Sequence, residues 1–177
     1  MKIRSFVKKQ GIKNFYDIRE GVCHQIMPEH GHCLPGQLIV GTDSHTTTYG
    51  ALGAFSTGIG ATEMAAVWAT GELWLKVPET FKVTLDGKLK DQVFSKDVIL
   101  QICGDLTAEG ANYKSMEYYG KAVDAMSVGS RFTITNMSME MGAKSAIMEP
   151  DQKVTDYLKS RTEAKYTVVK SDKAAVF

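Results

Sequence analysis

The run Gln37-Leu38-Ile39-Val40-Gly41 comes after a Pro35-Gly36 turn and passes directly into Thr42-Asp43-Ser44-His45-Thr46-Thr47-Thr48. No other stretch constrains the fold as much. A short apolar run bounded by turn residues reads as a buried strand. A polar cluster just past its carboxyl end lies where open α/β sheets bind ligands, because strand ends and helix starts converge there. Glycines at 50, 53, 58 and 60 punctuate the next stretch, and Ala61 to Leu75 then reads as a mostly apolar helix closed off by Pro78. Strand, loop and helix in that order form the unit of an α/β architecture.

The remainder of the chain repeats the alternation. Residues 2–9 suit a short helix that Gly11 would stop. Phe81 to Leu85 alternates at period two and meets Asp86-Gly87, which predicts a strand and a hairpin-type turn. Ser95 suits the N-cap of a helix over residues 96–106, with Asp97 favoured in its first turn by the helix dipole. Residues 111–119 suit a helix and a strand equally. Phe132 to Met141 suits a helix that Gly142 would stop, Ala146-Ile147-Met148 a short strand, and Pro150-Asp151 the start of a helix to about Arg161. Tyr166-Thr167-Val168-Val169 reads as a last strand. The expected fold class is therefore α/β: a three-layer α/β/α domain with a mainly parallel sheet and the Asp43–His45 loop at its carboxyl edge. One domain is expected over residues 1–150, with 151–177 beginning a second α/β domain or forming an extension.

Composition bounds the partners. With 44% hydrophobic and 23% charged side chains, 177 residues suffice for a sizeable core. Charges nearly cancel, 21 basic against 20 acidic, so nothing electrostatic argues for nucleic acid or an anionic membrane. No apolar run approaches the roughly 20 residues of a membrane span, and the basic start Met1 to Lys9 lacks the apolar core of a secretory signal. Cys23, Cys33 and Cys103, odd in number and irregular in spacing, point with the missing signal to a reducing cytoplasm.

Asp43, Ser44 and His45 supply a carboxylate, a hydroxyl donor and a group able to move protons near neutral pH. A local turn satisfied by polar side chains is the plainer alternative; the neighbouring threonines and glycines favour a binding loop, since exposed backbone donors can hold a carboxylate. Asn136 and Glu140, four apart, would share one helix face among apolar neighbours, and from the residues alone a solvated stripe is the favoured reading. His24, Glu29, His30 and His32 lie close together, yet their spacing fits no compact zinc pattern. Gly58-Ile59-Gly60 lacks the third glycine of a dinucleotide fingerprint, no C-x-x-C is present, and the Met-rich run from 126 to 148 reads as core filler.

Gly41-Thr42-Asp43-Ser44-His45-Thr46 followed by Tyr49-Gly50-Ala51-Leu52-Gly53-Ala54-Phe55 resembles the signature of aconitase-type hydro-lyases. Gly21-Val22-Cys23-His24-Gln25, Leu34-Pro35-Gly36 and Thr135 to Ala143 fit the same pattern in the same order. The Tyr49 to Gly53 form and Lys76-Val77-Pro78-Glu79-Thr80 are most similar to large subunits of 3-isopropylmalate dehydratases, with homoaconitases close by. The resemblance implies reversible dehydration and rehydration of a hydroxy carboxylic acid at a four-iron, 4Fe-4S cluster. It assigns Asp43, His45 and Glu140 to the group around the reacting hydroxyl, His24 to the supporting proton network, Ser44 to a substrate carboxylate and Asn136 to the side of the cluster. For Asn136 and Glu140 it outweighs the solvated-stripe reading.

The resemblance also implies what is missing. The family's cluster cysteines, its N-terminal Asp-His motif and the serine base of its swivelling domain have no counterparts in this sequence, and none of Cys23, Cys33 and Cys103 matches a ligand position. The expectation is a truncated or split large-subunit segment with no metal ligands of its own. It would hold no cluster alone and would need the missing large-subunit segments, a dehydratase small subunit and a hydroxy-carboxylate substrate, with self-association through uncovered apolar surface. A non-catalytic remnant that binds a small carboxylate or a partner subunit is the alternative.

Overall fold

The computed structural model describes residues 2–177. Helices α1 (Lys2–Gln10) and α2 (Cys23–Glu29) precede strand β1 (Leu38–Gly41). A 3-10 helix over Ser44–Leu52 leads to β2 (Phe55–Gly58) and α3 (Ala61–Thr70). Then come β3 (Thr80–Thr84), α4 (Ser95–Leu106), β4 (Ser115–Tyr119), α5 (Lys121–Ala125) and α6 (Val128–Met137). A short 3-10 turn (Ser138–Met141), β5 (Ser145–Met148) and α7 (Gln152–Lys159) complete the order.

The class is α/β and the strand pairs are parallel, as the alternation predicts. The strands form two sheets, β1-β2 and β3-β4-β5, rather than one. They meet where the Ser56 N–H of β2 donates to Ser145 Oγ of β5 at 3.4 Å. Pairing of Gly41 with Gly58 brings the carboxyl ends of β1 and β2 to one edge, with the Asp43 loop immediately beyond it.

Parallel pairing overturns the hairpin expected at Asp86-Gly87, because parallel neighbours need a crossover, here α4. Asp86 instead accepts the Lys121 N–H at 3.3 Å, joining the end of β3 to the start of α5. The helix expected to reach Leu75 stops at Thr70, where Gly71 adopts a left-handed φ of 74°. Ser95 is the first residue of α4 and not its cap; the Asp97 carboxylate caps from within by accepting the Phe94 N–H at 2.8 Å. Residues 166–169 form no strand: their backbone makes no ladder, and the Thr167 carbonyl lies against Gly36. β1 is only half buried, Leu38 being 65% exposed, because it has one neighbour and stands at a sheet edge.

Two apolar clusters hold these elements together. Ile99, Met116, Tyr118, Ile134, Met141 and Met148 form the larger, so the Met-rich run is core. Cys33, Tyr49, Leu52, Val154 and Leu158 form the second, which places α7 against the 3-10 helix. Asp151 caps α7 by accepting the N–H groups of Lys153 (3.0 Å) and Val154 (3.2 Å) and pairs with Arg131, whose side chain is 1% exposed. Trp68, Trp74, Val77 and Phe94 are left in solvent, and α3 buries no residue. Among the described residues no helix is long and apolar enough to cross a membrane.

Candidate active site

The loop after β1 is built by its own side chains. Asp43 keeps extended backbone angles and caps the 3-10 helix, its carboxylate accepting the His45 N–H at 2.8 Å. Thr46 Oγ1 donates to the Asp43 carbonyl at 2.6 Å and Thr48 Oγ1 to the His45 carbonyl at 2.6 Å, so successive hydroxyls close each turn. Gly50 lets the helix lie on β5: any Cβ there would collide with the Ala146 carbonyl. Gly58 does the same for the loop, since its Cβ would come within 2.7 Å of the Asp43 carbonyl oxygen.

Reciprocal bonds tie the loop to α6. Thr47 Oγ1 donates to the Thr135 carbonyl at 2.9 Å and Thr135 Oγ1 to the Thr48 carbonyl at 2.8 Å, both buried. Asn136 Nδ2 donates to Thr48 Oγ1 at 2.8 Å. The chain tightens from α6 into 3-10 geometry at Ser138, and Asn136 and Glu140 both reach back to the 3-10 helix that follows β1. Glu140 meets His45, with Oε1 3.0 Å from Nε2.

Two three-residue relays result. An ionised carboxylate only accepts, so beside Asp43 the His24 Nε2 carries its proton and donates at 2.9 Å, leaving Nδ1 to accept from the Tyr49 hydroxyl at 3.3 Å. By the same rule His45 Nε2 donates to Glu140 and Nδ1 accepts from Ser44 Oγ at 3.3 Å. The relays join at Asp43, whose Oδ1 also stands 3.6 Å from His45 Nδ1, and the imidazole centroids are 6.3 Å apart. The hydrogen bond from His24, reinforced by the His45 N–H, holds the Asp43 carboxyl below its ordinary range. Asp43 and Glu140 keep about half their side-chain surface in solvent, so the group faces outward and can meet a ligand.

Thus Asp43, Ser44, His45, Glu140 and His24 come together in one network, and Asn136 stands one residue removed through Thr48. His24 and Asn136 line a cavity of about 630 Å³ shared with Lys96 and Arg161. Ser44 lines another of about 470 Å³ with Lys144. Sequence reasoning missed α2, which carries His24, and the roles of Tyr49, Thr48 and Lys144. The i, i+3 spacing of His45 and Thr48 could have pointed to Thr48; no local signal marks Tyr49 or Lys144. His30 and His32 lie outside the network and pack on Tyr16, whose hydroxyl is 2.6 Å from His32 Nε2.

The cysteines do not fit an iron–sulfur cluster. Cys23 is exposed, Cys33 is fully buried, and burial pushes the Cys33 thiol up to about 12, away from the thiolate a cluster needs. Among the described residues no three His, Cys, Asp or Glu side chains converge as a metal-binding group.

The chain is 54% identical over 172 residues to a probable 3-isopropylmalate dehydratase large subunit of Methanothermobacter thermautotrophicus, covering 97% of this chain and 41% of that protein. It is 52% identical over 175 residues to a probable methanogen homoaconitase large subunit of Methanosarcina mazei, covering 99% and 45%. With the 3-isopropylmalate dehydratase large subunit of Aquifex aeolicus it shares 49% over 175 residues, covering 99% and 40%. The chain therefore spans less than half the length of these relatives. The model of the aconitase family (aconitate hydratase) matches residues 1–176. The chain belongs to the aconitase family.

Proposed function

We propose that this chain is part of a hydro-lyase large subunit and supplies the Asp43–His45–Glu140 side of an active site that dehydrates and rehydrates a hydroxy carboxylic acid. The observation that carries the reading is the meeting of His45 and Glu140, 95 residues apart, beside the Asp43–His24 pair. Such a group can hold a substrate hydroxyl, or the water it becomes, and pass its proton between carboxylate and imidazole. His45 is the member that would carry the proton, being one-third exposed and bonded at both ring nitrogens. His24, with 16% of its side chain exposed, orients Asp43. Ser44 would hold a substrate carboxylate, and Asn136 would stand beside the 4Fe-4S cluster of the complete enzyme. That cluster and its cysteine ligands would come from outside these residues, because the cysteines here do not fit. The names of the relatives favour 3-isopropylmalate or homocitrate-type substrates, and a small subunit as the partner that completes the site.

The test supplies, in trans, large-subunit segments bearing cluster cysteines together with a small subunit, and follows the unsaturated acid from 2-isopropylmalate and from homocitrate. Activity with one of them, lost in His45→Ala, is the expected result. A folded complex with an assembled cluster that dehydrates neither acid would refute the reading and leave a non-catalytic carboxylate-binding module.

A further inference from the structure

The cavity on the Ser44 side contains a positive charge that the relays do not use. Lys144 stands between Gly142 and the first residue of β5, and its Nζ donates to the Gly58 carbonyl at 3.2 Å. Gly58 lies directly under the loop, so close that a Cβ on it would come within 2.9 Å of Ser44 Cα. The ammonium is therefore anchored at the floor of the Ser44 loop, 100 residues away in sequence. Its approach over the Tyr113 ring, at 5.6 Å, further limits where it can swing. Among the described residues Lys144 makes no ion pair. A half-buried ammonium with one carbonyl partner keeps donors and an uncompensated charge for an anion.

The rest of the wall supports an anion of limited charge. The Ser44 hydroxyl, held to His45 Nδ1 only by a long 3.3 Å contact, can rotate its one proton to an anion, and Thr57, 1% exposed, keeps a buried Oγ1 without a partner. The start of α3 is not free to serve: the Glu63 carboxylate already accepts the Gly60 N–H at 2.7 Å. Glu63 also lines the cavity, and its negative charge disfavours a second anionic group beside the first.

We propose that Lys144 is a ligand-binding residue that, with Ser44, holds a single carboxylate of a hydroxy-carboxylate ligand in this cavity. The choice of a hydroxy carboxylate rests on the hydro-lyase reading; the preference for one carboxylate rests on Lys144, Ser44 and Glu63 alone.

Malate, a small hydroxy-dicarboxylate, serves as the probe in an amide NMR titration of the chain, with sodium chloride holding ionic strength constant. The expected result is a saturable shift centred on Ser44, Gly58 and Lys144. Lys144→Gln should weaken it at least tenfold and Lys144→Arg should retain it, as expected for a charge-assisted contact. Native amide dispersion in both variants separates loss of the charge from loss of the fold. An equal response in Lys144→Gln, or no saturable shift near Ser44 in the unaltered chain, overturns the proposal. In the assembled enzyme Lys144→Gln should raise KM at nearly unchanged kcat. An assembly inactive toward every hydroxy acid would sink the hydro-lyase reading, while the titration still decides the role of Lys144.

Discussion

Replacing Asp151 should undock α7 and loosen the site it braces. The Arg131 side chain is 1% exposed, its Nη2 pairs with the Asp151 carboxylate, and its Nε has no partner. Removing the carboxylate strands a guanidinium in the interior, which costs about 3–5 kcal/mol when no water can reach it. The Asp151 side chain is 36% exposed, so solvent screens the pair and the lower end applies. Losing the two cap bonds of α7 adds about 1 kcal/mol. Asp151→Ala should therefore destabilise the chain by about 4 kcal/mol, and Asp151→Asn, which keeps the cap, by about 3 kcal/mol. Arg131→Met should cost less than either, because the charge leaves with its partner bond. Urea unfolding at constant m measures each change, and the cycle of Asp151→Ala with Arg131→Met isolates the pair. Hydrogen exchange should rise first at Val154 and Leu158, which pack with Tyr49 and Leu52. If the double variant is additive within about 0.3 kcal/mol, Arg131 and Asp151 are uncoupled and the reasoning fails.

Asp43 gives a pH signature. Because His24 and the His45 N–H lower its folded pKa, the stability it contributes is present above the ordinary aspartate value of 3.8 and lost as pH falls through the lower folded value. Thermal unfolding should show Asp43→Asn removing part of the acid limb below about pH 4; an identical limb in both proteins would refute the His24 contact. Thiol labelling tests the burial of Cys33, whose thiol is pushed up to about 12: at neutral pH a disulfide reagent should label exposed Cys23 rapidly and Cys33 only on unfolding. Rapid labelling of Cys33 in the native chain would show that the second core cluster is open.

The features readable without the fold were those that neighbours within about four residues decide. Asp43 caps the turn after it through the His45 N–H, and Asp151 does the same two and three residues ahead. Such caps depend on the side chain and its own backbone, so the residue type and its place after an apolar run suffice. The α/β class came from the same punctuation. It misled locally at Ser95, where Asp97 took the cap, and among the strands a long-range partner decided the outcome: Asp86-Gly87 has turn chemistry, but β3 pairs parallel with β4 and leaves by a crossover. Residues 166–169 have strand composition and no strand to pair with.

The membership of the candidate site was legible through resemblance, and its local half through chemistry. Asp43, Ser44 and His45 are consecutive, so one strand end presents all of them. That His24 meets Asp43, that Glu140 reaches His45, and that Lys144 comes up beneath Ser44 were decided by tertiary packing. Gly50 admits the 3-10 helix onto β5, and the Thr47–Thr135 and Thr135–Thr48 bonds lock it to α6. Local sequence specifies caps and turns because their energies are local. It does not specify which distant side chains meet, because that depends on how closely two backbones can approach once the core has closed.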